Sequence, residues 1–227
     1  MIRVHVICEG QTEELFVNEL LALAFQSKQI LLFPSLVGKP GHKGGNINFD
    51  RLFPDIRNRL LGDSTADCTT FFDFYGLASS FPGKESAKQL TAVDQKWRYV
   101  CDAMVFELRR RLGDEPMRRF VPYVQMDEFE GLLFSEPNAF ALALNCPNLD
   151  FPVASIRNSF PAPEDSNDSP LTAPSKRILS LFPGYEKPLH GSLVALETGL
   201  ETLRRECRLF SGGMELLEEL GGQIKSV

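Results

Sequence analysis

Three acidic groups in this sequence each follow a short apolar run. Glu9 closes Ile2-Arg3-Val4-His5-Val6-Ile7-Cys8, Asp73 closes Cys68-Thr69-Thr70-Phe71-Phe72, and Asp127-Glu128-Phe129-Glu130 follows Phe120-Val121-Pro122-Tyr123-Val124-Gln125. Carboxylates gathered near one point repel one another unless a hard cation neutralises them, and Mg²⁺ or Mn²⁺ takes oxygen ligands of this kind. An ion so held also binds phosphate, activates a water and stabilises the charge that builds on a phosphodiester in transit. That chemistry requires the acids to meet, which depends on the elements that carry them.

Residues 2–8 are rich in β-branched side chains and stop at Glu9-Gly10, and from Thr12 onward Leu15, Phe16, Leu20, Leu23 and Ala24 recur at helical spacing. The reading is strand, acidic turn, helix, with Thr12 as N-cap and Glu13 and Glu14 at the positive end of the helix dipole. Taken singly, Glu9, Glu13 and Glu14 also fit the ordinary decoration of a helix start, and Asp73 an ordinary turn at a strand end. Their coincidence at successive strand ends is the signal.

Ile30 to Phe33 reads as a second strand, Phe49 to Leu61 as a helix through Leu52, Phe53, Ile56 and Leu60, and Cys68 to Phe72 as a buried third strand. Ser79 to Glu85 reads as a loop. Leu90 to Leu112 forms one long helix closed by Gly113 and Pro116, and Phe120 to Gln125 a fourth strand whose Pro122 implies an edge or an irregularity. Asp127 to Phe134 is a short helix capped by Asp127. Phe160 to Pro174, rich in Pro, Ser, Asp and Asn, reads as a surface loop, and the remainder as helical.

This alternation predicts an α/β protein with a mainly parallel central sheet flanked by helices and a mostly helical C-terminal part. Residues 1–150 form the core and 151–227 a helical extension packed on it within the same domain. In a parallel sheet, ligands sit at the carboxyl ends of the strands, where Glu9, Asp73 and the Asp127–Glu130 group fall.

Composition narrows the classes. Of 227 residues, 43% are hydrophobic and 24% charged, enough apolar material for a real core. No run approaches the roughly 18 apolar residues of a membrane span, and Cys8, Cys68, Cys101, Cys146 and Cys207 form no C-x-x-C pair, so a reducing cytoplasm is expected. A net charge of -6 argues against coating nucleic acid by overall attraction. Local basic groups remain: Arg109 to Arg111 with Arg118 and Arg119, the loop from Lys39 to Lys43, and Lys176-Arg177.

Weaker motifs fall away. The Gly38 to Gly45 loop lacks the order GxxxxGK followed by Ser or Thr. Cys8 lies beside Glu9, whose charge raises a thiol pKa and so disfavours thiol catalysis. His5 reads as a core histidine, and His42 and His190 as surface residues.

The segment Val6-Ile7-Cys8-Glu9-Gly10-Gln11-Thr12-Glu13, the turn Phe72-Asp73-Phe74-Tyr75-Gly76-Leu77 with Phe81-Pro82-Gly83, and the block Asp127-Glu128-Phe129-Glu130-Gly131-Leu132-Leu133-Phe134 resemble an uncharacterised prokaryotic family of TOPRIM-like proteins. Pro174-Ser175-Lys176-Arg177 and Tyr185-Glu186-Lys187 are similar to that family as well. TOPRIM is the metal-dependent catalytic fold of topoisomerases, primases and the overcoming-lysogenization-defect nucleases. The resemblance implies a Mg²⁺- or Mn²⁺-dependent nuclease acting on DNA or RNA, encoded beside an ATPase partner and often serving defence against phage.

It also implies Glu9 as the signature acid and Asp73 as the acid after a later strand. Lys176 or Lys187 then contacts a phosphate or stabilises charge, with Arg177 beside them. The usual Asp-x-Asp pair is broken here, because Tyr75 stands at the second position. Either Glu128 or Glu130 supplies the missing carboxylate, or Tyr75 serves another purpose, such as meeting substrate. Glu13 is a further metal-ligand candidate. The competing expectation is a non-catalytic binding or sensing subunit of an ATPase complex.

Overall fold

The computed structural model describes residues 1–38, 46–126, 128–166 and 172–222. The expected cap Asp127, the loop histidine His42 and the basic and glycine-rich stretch from Lys39 to Gly45 lie outside the described residues.

The chain opens with strand β1 (Ile2–Cys8) and helix α1 (Gln11–Phe16), which runs on through a π-helical turn at Val17–Leu21 into α2 (Ala22–Gln26). Then come β2 (Ile30–Leu36), α3 (Phe49–Gly62), β3 (Asp67–Phe71), α4 (Lys84–Lys88), α5 (Val93–Leu112), α6 (Asp114–Met117) and β4 (Phe120–Val121). The rest is helical: α7 (Phe129–Leu132), α8 (Pro137–Ala143), α9 (Asp150–Arg157), α10 (Pro174–Leu181), α11 (Ser192–Thr198), α12 (Leu200–Glu206) and α13 (Arg208–Gly222).

The sheet has four strands in the order β2-β1-β3-β4, every pair parallel. The α/β class with a parallel sheet between helices is therefore as the alternation predicts. β1 is central because it can be buried on both faces. Val4, Val6 and Cys8 join a core with Phe16, Phe71, Phe129 and Phe210, while Ile7 joins another with Leu52, Ile56, Cys68, Phe72, Val100 and Met104. The first core also takes in Phe140 of α8, Val153 of α9, Ile178 of α10 and Val194 of α11.

Four expectations need correction. The fourth strand keeps only Phe120 and Val121 in the ladder, plus one bridge from Gln125 to Asp73, because Pro122 has no N–H to donate. Thr12 is not the N-cap. Gly10 is, and the Glu13 carboxylate reaches back to accept its N–H at 2.9 Å. The expected surface loop 160–174 contains a buried 3-10 turn at Pro163–Asp165, whose Glu164 is 2% exposed. His5 is only half-buried, on the partly covered face of β1 beside Phe33.

Register positions the site. Cys8 pairs with Phe71, so β1 and β3 end level, and the next residues leave the sheet side by side. Glu9 continues the pairing by donating its N–H to the Phe71 carbonyl at 3.1 Å.

Candidate metal centre

Glu9 and Asp73 meet directly, the Glu9 Oε2 accepting the Asp73 N–H at 3.0 Å. The turn after Asp73 is closed by the Gly76 N–H on the Asp73 carbonyl, 3.0 Å away. A Cβ on Gly76 would lie 2.3 Å from both Glu9 carboxylate oxygens, so only glycine leaves room for the acid. Lys84, 2% exposed, donates to the Phe74 carbonyl, and its ammonium lies 3.6 Å from the Phe74 ring centroid. The turn that aims Asp73 is thus fixed from beneath.

Asp73 is 4% exposed. Its Oδ1 accepts the Phe129 N–H at 2.8 Å, in the first turn of α7, and its Oδ2 lies 2.9 Å from the Lys187 ammonium. The same ammonium stands 3.3 Å from Glu13 Oε1 and 3.2 Å from Glu130 Oε2. Three carboxylates, from α1, the turn after β3 and α7, therefore meet at one lysine delivered by the C-terminal part of the chain, and Glu9, directly after β1, joins them through the Asp73 N–H.

The electrostatics follow from that crowding. Burial, then the neighbouring Glu13, raises the Glu9 pKa to about 7, against the Asp73 N–H and Lys187, which lower it. Burial pushes Asp73 well above the usual carboxylate range, Lys187 opposing it and Glu13, Glu9 and Glu130 adding to it. Burial also raises Glu130, again against Lys187. Burial works to lower the Lys187 pKa, but Asp73, Glu130 and Glu13 together hold it well above the ordinary lysine value, so the ammonium is charged.

Acceptor capacity is left over. Glu13 Oε1 and Glu130 Oε2 are buried and accept no hydrogen bond of good geometry, and Tyr185 Oη is likewise buried with no hydrogen-bond partner. Lys187 stands at their meeting point, and among the described residues no three His, Cys, Asp or Glu side chains are grouped to hold a metal ion. The donor chemistry is that of hard oxygen ligands, carboxylates that outnumber the one ammonium among them, two of whose oxygens have no partner besides Lys187.

Several sequence candidates fall elsewhere. Glu128 turns away from Lys187, its Oε2 accepting the Ser175 N–H at 2.9 Å in the first turn of α10. Lys176 is exposed on that helix. Arg177 donates to the Thr172 carbonyl at 2.7 Å and its guanidinium lies 4.9 Å from the Phe160 ring centroid. Tyr75 is 40% exposed, edge-on to Phe74 and 5.0 Å from the Lys84 ammonium. Cys8 is held protonated by burial first and then by Glu13 and Glu14. A groove of about 620 Å³, lined by Phe49, Phe106 and Arg111, includes none of the four acids.

Gly76, Lys84, Tyr185 and His190 carry structural duties that spacing alone did not assign. His190, partly exposed, lies in the π-helical turn Lys187–Gly191 that presents Lys187 and leads into α11. Its Nδ1 accepts the Glu186 N–H at 2.8 Å and its ring stacks on Tyr185 at 6.0 Å. The signal available for Gly76 was its place three residues after Asp73, where a tight turn brings the backbone against a neighbouring strand end.

Residues 8–218 match the family described as "Domain of unknown function (DUF4276)". No curated protein matches the chain. Among solved structures, the C-terminal region of the Xanthomonas campestris pv. campestris OLD protein is similar with a TM-score of 0.43 and 11% identity, covering 100% of this chain and 99% of that one. Among the described residues, no helix is long and apolar enough to cross a membrane.

Proposed function

The chain belongs to the DUF4276 family, and we propose that it is a metal-dependent phosphodiester hydrolase of TOPRIM-like fold, cutting DNA or RNA. The observation that carries this reading is the meeting of Glu13, Asp73 and Glu130 on the Lys187 ammonium, with Glu9 held against the Asp73 N–H, at the carboxyl ends of β1 and β3. Excess carboxylate at a parallel-sheet ligand position is the donor set a Mg²⁺ or Mn²⁺ ion requires.

Glu9, Glu13, Asp73 and Glu130 would hold the ion, which when bound supplies Lewis-acid polarisation of a phosphate oxygen and an acidified water. The remaining tasks fall to the chain's own groups. The Phe129 N–H fixes Asp73 and the Gly10 N–H fixes Glu13, so neither acid needs to reorganise. Lys187, one-third exposed, is assigned the negative charge that builds on the phosphate. Glu128 serves by holding α10, which presents Lys176 and Arg177 as contacts for flanking phosphates. An ATPase partner and a place in prokaryotic defence against phage belong to the same proposal.

Glu9→Gln is expected to abolish Mn²⁺-dependent cleavage of a mixed panel of DNA and RNA while keeping the far-ultraviolet circular dichroism of the wild type. Undiminished cleavage by that variant would overturn the assignment. Tyr75, standing where a second acid is usual and 40% exposed, favours one rival, a binding or sensing subunit of an ATPase complex. Metal binding without cleavage of any nucleic acid, alone or with the partner, is the result that selects it.

A further inference from the structure

We infer that Lys187 is a built-in counter-cation that competes with the divalent metal for Glu13, Asp73 and Glu130, so that metal entry and withdrawal of the lysine side chain are one event. This inference rests on the metal-binding reading of the site. The ammonium is 2.9 Å from Asp73, 3.2 Å from Glu130 and 3.3 Å from Glu13, on three separate elements. Two of the oxygens it faces have no other partner, so the same atoms serve either cation. Buried acids without a cation are costly, and two cations on one set of oxygens repel each other.

The lysine can leave without opening the core. Its side chain is 34% exposed while the side chains of Glu13 and Glu130 are each only 2% exposed, so the acids are enclosed and the cation is at the mouth. Its carrier is a π-helical turn at Lys187–Gly191, a geometry that recurs at functional sites. That turn is anchored by its neighbours rather than by Lys187. His190 accepts the Glu186 N–H, and Gly191 packs so closely that a Cβ there would lie 2.9 Å from Tyr185 Oη. A flexible four-carbon stem on a pinned turn lets the ammonium swing outward, toward the place a phosphate would approach.

The test uses Mn²⁺ titration calorimetry on the wild type, Lys187→Met and Lys187→Arg, with thermal unfolding in chelator and in Mn²⁺. Lys187→Met is expected to bind Mn²⁺ at least tenfold more tightly than the wild type, to melt lower in chelator, and to gain more from metal; Lys187→Arg stays near the wild type. Affinity equal to or weaker than that of a metal-binding wild type overturns the inference alone. No Mn²⁺ binding by either protein overturns the metal reading and the inference with it. Because Lys187→Met could misfold, acetylation of the wild-type lysines followed by mass spectrometry supplies a second measurement. Lys187 should be modified several-fold faster in Mn²⁺ than in chelator, and unchanged or slower modification counts against the competition.

Discussion

Glu164 and Glu130 are buried almost equally, 2% and 1% exposed, and burial raises the pKa of both. Their surroundings differ completely. Glu164 gives its two oxygens to the Leu209 and Phe210 N–H groups, at 2.9 and 2.7 Å, in the first turn of α13. There the helix dipole favours a negative charge, and the carboxylate satisfies amides that otherwise lack partners. Glu130 and Glu13 each retain an oxygen with no hydrogen bond and share one ammonium with Asp73. A buried acid is therefore not in itself a sign of chemistry. Acceptor capacity left unused, at a place where charge is already in excess, separates the candidate centre from the cap.

The largest effect expected from this contrast is on the centre. Glu9→Gln combined with Asp73→Asn should lower metal-dependent cleavage by about three orders of magnitude or more, since the ion and the charges it neutralises act together. Cleavage rates and circular dichroism on the same samples check it.

Glu164→Ala should do the reverse. Losing two hydrogen bonds to a charged acceptor costs about 3 kcal/mol of stability, read from urea unfolding, with Mn²⁺ affinity unchanged. A shift in metal affinity without loss of stability would erase the distinction between the two acids.

Gly76→Ala tests how tightly the turn is built. The added methyl lies 2.3 Å from both Glu9 oxygens, so the turn or the acid must move, at a cost of about 1–3 kcal/mol and with weaker Mn²⁺ binding. Unchanged stability and affinity would mean that Glu9 is not pinned there.

The smallest effect is on pH dependence in chelator. Glu9 is raised from 4.5 to about 7, chiefly by burial, so between those values the folded protein holds a proton that the unfolded chain has lost. Its contribution makes stability fall as pH rises through that window, and Glu9→Gln should flatten the fall relative to the wild type. Urea midpoints at a series of pH values measure the difference, and an identical slope in the two proteins would contradict the burial of Glu9.

The contrast also explains what could be read from residues alone. Glu9 and Asp73 were legible because each closes a run of strand-forming residues, and parallel pairing of Cys8 with Phe71 places both ends at one level. Glu13 was visible only as one acid of a helix start. Its neighbour Thr12 looked the better cap, and the reach of Glu13 back to the Gly10 N–H decided otherwise. Glu164 was hidden, since it lies in a segment of loop composition and its partner amides come 45 and 46 residues later. Lys187 entered through family resemblance, because no local period records a lysine that crosses 114 positions to meet Asp73. Glu128 and Glu130 differ by two residues, and only the start of α7 determines which of them faces Lys187.

The central claim is that the four acids hold a divalent cation, and Mn²⁺ titration of the wild type beside Glu9→Gln with Asp73→Asn tests it most directly. The account predicts saturable binding in the wild type that is lost in the double variant while the fold is kept. No binding by the wild type, or equal binding by both proteins, would contradict it.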